Sequence, residues 1–119
     1  MQNILVIVHA APYGNERMLS ALRLSTGLLA QESTTIELRI FLMSDAVTAA
    51  LPGQASAEAG GGLQAMIEEL LRKGASVCLC RTCAAARGIC NTTLIPGIQI
   101  STLPELAVWT LQADKVLSF

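Results

Sequence analysis

The chain has few charged and few aromatic side chains for its size. Only 14% of its 119 residues are Asp, Glu, Lys or Arg, whereas about 25% is usual in globular domains. The net charge is −1, and the eight basic residues form no stripe along the sequence. One Trp, one Tyr and two Phe are the whole aromatic complement. The chain therefore lacks the basic surface and the stacking side chains with which proteins hold nucleic acids, and no nucleic-acid partner is expected.

Long hydrophobic runs are also missing. No uninterrupted apolar stretch approaches the roughly 20 residues of a membrane-spanning helix. The apolar run from Ile4 to Val8 is too short for a signal peptide, and no Lys or Arg precedes it. We therefore expect a cytoplasmic protein with no membrane segment. In that compartment cysteines are more often reactive, metal-binding or buried than paired in structural disulfides.

The scarcity of charge also bears on assembly. Hydrophobic residues make up 52% of the chain, and a monomer rarely exposes a large apolar patch. Covering part of the surface with further copies of the chain accommodates this composition. We therefore predict a homo-oligomer with an apolar interface, and the alternative is a monomer with a somewhat apolar surface.

The order of predicted elements indicates an α/β fold. Apolar strands alternate with helices, which predicts a three-layer α/β/α sandwich around a mainly parallel five-stranded sheet, a flavodoxin-like arrangement. The whole chain, residues 1–119, is expected to form one domain. The predicted strands are Ile4–Val8, Ile36–Leu42, Ser76–Cys80, Ile98–Ile100 and Lys115–Phe119. The predicted helices are Glu16–Gln31, Ala46–Leu51, Leu63–Lys73, a short turn from Thr82, and a helix capped by Thr102 that ends near Ala113.

Several local features refine this arrangement. Asn15 is placed to cap the first helix, and Ser44 or Asp45 is placed to cap the second. Gly27 inside the first helix predicts a close packing contact, because glycine otherwise weakens a helix. The stretch Gln54–Gly62 reads as a flexible loop and not as a phosphate-binding motif, since no strand precedes its glycines.

Four cysteines lie within thirteen positions, spaced Cys78-x-Cys80-x2-Cys83-x6-Cys90. Cys78 and Cys80 share one face of their strand, because strand side chains alternate with a period of two. We interpret Cys78 as a core residue and Cys80 as the exit of the strand. No role is assigned to Cys90.

Cys83 is predicted to be the reactive thiol of the cluster. Thr82 is placed to cap the following turn, which puts Cys83 at a helix N-terminus, with Arg81 and Arg87 close in sequence. A helix N-terminus and nearby guanidinium groups both favour the thiolate, which is the nucleophilic form. Cys80 and Arg87 complete the candidate site, and the alternative is that Cys83 merely packs in the core.

Metal and cofactor chemistry have less support. Cys80-x2-Cys83 has the spacing of a zinc knuckle, but a second knuckle is missing. A thioredoxin-like dithiol is the closer rival, although the helix after Cys83 is short. No nucleotide motif is present, so neither a cofactor nor a metal is expected. His9, the only histidine, is interpreted as structural, and Tyr13 either roofs the site or lies in a subunit contact.

Several blocks of the sequence, taken together, resemble the DsrE/DsrF-like family from end to end. They are Ala11-Pro12-Tyr13-Gly14, Phe41 to Val47, Cys80-Arg81-Thr82-Cys83, Arg87-Gly88 and Ala113 to Phe119. The resemblance implies a three-layer α/β fold with a parallel sheet and, for the branch that shares these blocks, a homohexamer. In relatives such as the TusBCD and DsrEFH complexes, a cysteine after a central strand passes persulfide sulfur between proteins. The segment Cys83-Ala84-Ala85-Ala86-Arg87-Gly88 matches that position.

Together these features favour a sulfur carrier that accepts sulfane sulfur on Cys83 and passes it to another thiol, with sulfur donor and acceptor proteins as partners. Two alternatives stay open: a non-enzymatic oligomeric binding or scaffold protein, and a small dithiol redox protein that uses Cys80 and Cys83.

Overall fold

Five parallel strands form the centre of the molecule. In chain order they are β1 (Gln2–Val8), β2 (Ile36–Leu42), β3 (Ser76–Cys80), β4 (Gln99–Ser101) and β5 (Lys115–Ser118). In space they follow the order β4-β3-β2-β1-β5, and each neighbouring pair is parallel. The computed structural model describes residues 1–54 and 62–119. The predicted five-stranded parallel sheet is confirmed.

Four α-helices pack on the two faces of this sheet. They are α1 (Arg17–Leu29), α2 (Gly62–Arg72), α3 (Arg81–Ala86) and α4 (Leu103–Gln112), and a 3-10 helix, Ser44–Ala50, follows β2. Parallel strands are joined by right-handed crossovers. The chain moves in one direction from β1 to β4, which places α1, α2 and α3 on one face. It then crosses back to β5, which places α4 on the other face.

The core is correspondingly unequal on the two sides of the sheet. The larger cluster lies beneath α1, α2 and the 3-10 helix. The smaller one joins sheet residues such as Phe41 to Leu106 of α4. Trp109 anchors α4, with its ring edge-on to Phe41 at 6.1 Å and the Arg39 guanidinium 4.6 Å from its ring centroid. Among the described residues, one ten-residue helix, α4, therefore covers this face.

The connections between the strands also distinguish one position at the carboxyl edge of the sheet, the end of β3. The chain leaving β3 enters α3 on one face, whereas the chain leaving β4 enters α4 on the other. Cys80 at the end of β3 pairs in register with Ser101 at the end of β4. Ligands of open parallel sheets gather where neighbouring strands send their chains to opposite faces. The end of β3 is such a position, and it carries the cysteine pair.

Some local predictions were wrong. Neither Ser44 nor Asp45 caps the 3-10 helix, whose N-cap residue is Met43 without a side-chain hydrogen bond. Helix α1 begins one residue late, with Glu16 at the N-cap, although Asn15 Oδ1 accepts a hydrogen bond from the Arg17 N–H at 2.9 Å. Gly27 makes no close contact, because a methyl group there would meet no atom within 4 Å outside its own helix.

Two further sequence predictions concern a loop and a membrane segment. Most of the predicted loop Gln54–Gly62 falls on 55–61, outside the described residues; Gly62 itself begins α2. Within the described ranges, no helix combines the length and the apolar character needed to cross a bilayer.

The exposed glycine of α1 yields a stability prediction. Gly27→Ala should raise the free energy of unfolding by about 0.5 to 1 kcal/mol, because alanine restricts the unfolded chain and meets nothing in the fold. Gly74→Ala is the matched variant at the end of α2, where φ is +98°. It should lower the free energy of unfolding by about 1 kcal/mol, because a side chain is strained there. Urea denaturation of both variants checks the pair, and a destabilising Gly27→Ala would contradict the open surroundings of Gly27.

Candidate functional site

Strand β3 runs into helix α3 without an intervening loop. Cys80 is the last residue of the strand and also the N-cap residue of the helix, with φ −65° and ψ 120°. The prediction that Thr82 caps this helix was therefore wrong, since Thr82 is already its second residue. The helix starts earlier because the extended backbone of Cys80 has the conformation that an N-cap residue requires. Cys80 therefore occupies the N-cap position of α3, which was predicted for Thr82.

The sulfur of Cys80 is buried and surrounded by hydrogen-bond donors. Its residue is only 1% exposed, and Thr82 Oγ1 lies 3.2 Å from Sγ. Burial by itself raises the pKa of a thiol. Here the Thr82 hydroxyl, the Cys83 thiol and the backbone N–H groups of both residues outweigh burial and lower the pKa of Cys80. The protein therefore favours the thiolate of Cys80.

Cys83 is the more accessible member of the pair. It lies one helical turn into α3, is partly exposed, and packs against both core clusters. Its thiol is near enough to Cys80 Sγ to contribute to the lowered pKa of Cys80, and Cys83 packs against the apolar cluster that contains Cys80. The structure therefore brings the two predicted cysteines together, but it directs the backbone N–H groups towards Cys80. Cys83 is a candidate for reaction because it can be reached and because a thiol with a lowered pKa lies beside it.

Arg87, the third predicted site residue, is placed differently from expectation. Its Nε and Nη2 donate to Asp45 Oδ1 at 3.1 and 2.9 Å, and its Nη1 donates to the Cys83 carbonyl at 3.0 Å. The guanidinium group is thus beside the cysteine pair but bonded to oxygen atoms. Asp45 was predicted only as a possible helix cap, because 42 positions separate it from Arg87 and no local pattern reveals their contact.

The other two cysteines are peripheral to the pair. Cys78 is 3% exposed, and burial raises its pKa despite a hydrogen bond with Ser101, so it is the core residue that its strand position predicted. Cys90 Sγ donates to the Arg81 carbonyl at 3.5 Å. All four thiols are free. In the part of the chain that the structure describes, no three His, Cys, Asp or Glu side chains come together as a metal site.

The first strand brings two further residues towards the carboxyl edge of the sheet. His9 is exposed just beyond β1, and its backbone N–H donates to the Phe119 carbonyl at 2.9 Å. Tyr13, in the loop before α1, is 38% exposed. Both belong to the same edge as Cys80, but the contacts of the site are made by β3, α3 and the 3-10 helix.

Known proteins resemble this chain over its full length. Protein YchN of Escherichia coli is 51% identical over 119 residues, covering 100% of both chains. An uncharacterized protein of Methanopyrus kandleri is 34% identical and covers 98% of this chain and 93% of its own. The crystal structure of the E. coli ychN protein superposes with a TM-score of 0.94. A protein of unknown function from Methanobacterium thermoautotrophicum, at 12% identity, shares the fold with a TM-score of 0.77.

The family comparison agrees with the geometry of the fold. The model of the DsrE/DsrF-like family matches residues 2–119. With this match and the two relatives above 30% identity, the chain belongs to the DsrE/DsrF-like family.

Proposed function

We propose that the protein is a sulfur carrier that accepts sulfane sulfur on Cys83 and passes it to another protein thiol. The observation that carries the proposal is the contact between an accessible thiol, Cys83, and a thiol with a lowered pKa, Cys80. Membership of the DsrE/DsrF-like family supports a role of the sulfur-relay type. A cytoplasmic location suits the chemistry, since thiols stay reduced there.

The exposure of the two cysteines supports a division of roles between them. A donor protein must bring its persulfide to the surface of the carrier, and Cys80 is 1% exposed whereas Cys83 is partly exposed. Cys83 is therefore the acceptor. The neighbouring Cys80 thiol, whose lowered pKa gives it more thiolate than an ordinary cysteine, takes the proton of Cys83 as a general base.

The transfer balances without a cofactor. The sulfur of Cys83 attacks the outer sulfur of a donor persulfide, R–S–SH, while its own proton moves to Cys80. The donor S–S bond breaks, and the departing R–S⁻ takes the proton from Cys80. The products are R–SH and Cys83–S–SH. An acceptor thiolate then attacks the outer sulfur of the Cys83 persulfide, which restores Cys83 by the same exchange chemistry.

The proposal predicts which variants take up sulfur. After incubation with a cysteine desulfurase and cysteine, the intact wild-type chain should gain the mass of one sulfur atom. Cys83→Ser should gain none, and Cys80→Ser should gain it about tenfold or more slowly, because a positioned base contributes at least that much. Cys90→Ser, a partly buried thiol outside the pair, is the matched control and should load like wild type.

Two results count against this assignment. If the wild-type chain gains no sulfur, the carrier function is wrong. If Cys83→Ser loads as fast as wild type while Cys80→Ser does not load, the acceptor is Cys80 and the roles within the pair are reversed.

A dithiol redox protein is the second candidate function, and the contact between Cys80 and Cys83 favours it. Closing a disulfide releases two hydrogen atoms to an oxidant. In the same mass experiment, loss of two hydrogens on mild oxidation without any gain of sulfur from the desulfurase would support the redox protein instead of the carrier.

We further propose that the protein is a homo-oligomer, with a hexamer as the expected form, and that helix α4 lies in its interface with a second copy. Leu103, Val108 and Leu111 of this helix are 47, 50 and 88% exposed. The neighbouring strand β5 adds Val116, which is 42% exposed. Copies that pack these apolar side chains together remove them from water, which favours association.

A charge on α4 should therefore break the assembly. Leu111→Glu should lower the mass measured by light scattering after size exclusion, because a carboxylate in an apolar interface loses its hydration. Leu24→Glu introduces the same charge at an exposed leucine of α1 and should leave the mass unchanged. A monomeric wild type, or equal masses for both variants and wild type, would contradict the α4 interface.

A further inference from the structure

The side chain of Arg87 joins two segments that are distant in sequence. Its guanidinium group connects Asp45, on the 3-10 helix after β2, with the backbone carbonyl of Cys83 inside α3. Strands β2 and β3 are neighbours in the sheet, so the bridge spans the carboxyl ends of two adjacent strands. All three hydrogen bonds of the guanidinium end on oxygen atoms of these two segments.

The backbone before Asp45 takes a conformation that is unfavourable for its residue type. Ser44 has φ 53°, the only positive φ of a residue other than glycine among the described residues. A side chain in this region is strained, and such strain persists where the surrounding structure holds it. The Thr48 hydroxyl also donates to the Asp45 carbonyl at 2.8 Å. The turn that carries the Asp45 carboxylate is therefore held by Thr48 within the 3-10 helix and by Arg87 from the end of α3.

A contribution to overall stability is a weak reason for this bridge. The side chains of Arg87 and Asp45 are 32% and 66% exposed, and ion pairs at such exposure contribute little because water and salt screen them. The bridge instead fixes the orientation of the two groups that it joins. A planar guanidinium group that donates to two separate acceptors sets the orientation of both. One of these hydrogen-bond acceptors is the backbone carbonyl of Cys83, the residue that is proposed to receive sulfur.

We propose that Asp45 and Arg87 are positioning residues, which hold α3 so that Cys83 and the first N–H groups of the helix stay against the Cys80 sulfur. The inference rests on the proposed function for its consequence in sulfur transfer. Its geometric part concerns the thiol pair alone and can be tested without any sulfur donor.

A positioning role and a purely electrostatic role of Arg87 predict opposite changes in the pKa of Cys80 when the Asp45 carboxylate is removed. If Arg87 acted through its charge, removing the Asp45 carboxylate would leave an uncompensated cation beside the pair and lower the pKa of the Cys80 thiol. If the bridge positions α3, removing the carboxylate loosens the helix. The hydrogen bonds to the Cys80 sulfur then weaken, and its pKa rises towards the ordinary value of a thiol.

The test is a pH titration of the ultraviolet thiolate absorbance of Asp45→Asn and Arg87→Lys, with wild type as reference. Both variants should shift the Cys80 midpoint upward by about 0.3 to 0.7 pH unit, a two- to fivefold change of the size expected for an exposed bridge. Arg87→Lys matters because lysine keeps the charge but lacks the rigid planar fork of donors that orients both partners. Combining the two substitutions should shift the midpoint no further than either one, because each breaks the same bridge.

Glu69→Gln is the matched control, since it removes the carboxylate of an exposed ion pair on α2 with Arg72 and Lys73. It should leave the midpoint unchanged. A downward shift in Asp45→Asn, or a wild-type midpoint in Arg87→Lys, overturns the positioning role. These outcomes are independent of the carrier function, which fails separately if the wild-type chain takes up no sulfur from a desulfurase.

Discussion

The site depends on the direct passage of strand β3 into helix α3 at Cys80. Because no loop intervenes, one residue ends a buried strand and also begins a helix. Its side chain is therefore held in the core while the free N–H groups of the next turn point towards it. Burial without these donors would favour the neutral thiol, as it does for Cys78 two residues earlier. The pKa values of Cys78 and Cys80 shift in opposite directions because β3 ends at Cys80, where α3 begins.

The topology of the sheet places this junction where ligands of open parallel sheets gather. Since the chain crosses back over the sheet only after β4, the helices that follow β3 and β4 lie on opposite faces of the sheet. One face carries a larger core, whereas α4 covers the other alone and leaves Val108 and Leu111 exposed. The proposed homo-oligomer, with a second copy packed against α4, is consistent with both the low charge of the chain and this uneven cover.

Sequence reasoning succeeded where the signal is local and periodic. The bounds of β2 and β3 were predicted without error, because β3 is a mostly apolar run and β2 alternates apolar and charged residues before its apolar end. The Thr102 cap of α4 is also confirmed, with its Oγ1 accepting from the Glu105 N–H. The resemblance to the DsrE/DsrF-like family is confirmed, whereas the Cys80 and Cys83 site and its sulfur chemistry stay predictions.

The parts that were missed depend on contacts between distant segments or on the backbone. The bond between Arg87 and Asp45 joins positions 42 apart, so no window of sequence contains it. The N-cap was assigned to Thr82 by its residue type, whereas the extended backbone of Cys80 decides where α3 begins. Gly27 was expected to pack closely, but an open helix surface tolerates glycine at only a small cost.

The central claim is that the fold stabilises the thiolate on Cys80 and leaves Cys83 as its accessible neighbour. Thiolate absorbance followed against pH in wild type, Cys80→Ser, Cys83→Ser and Cys90→Ser tests it most directly. The account predicts an ionisation below the ordinary range of cysteine in wild type and in Cys90→Ser. This ionisation should be absent from Cys80→Ser and should persist in Cys83→Ser, whose hydroxyl can still donate to the Cys80 sulfur. If it persists in Cys80→Ser and disappears in Cys83→Ser, the thiolate resides on Cys83 and the account is wrong.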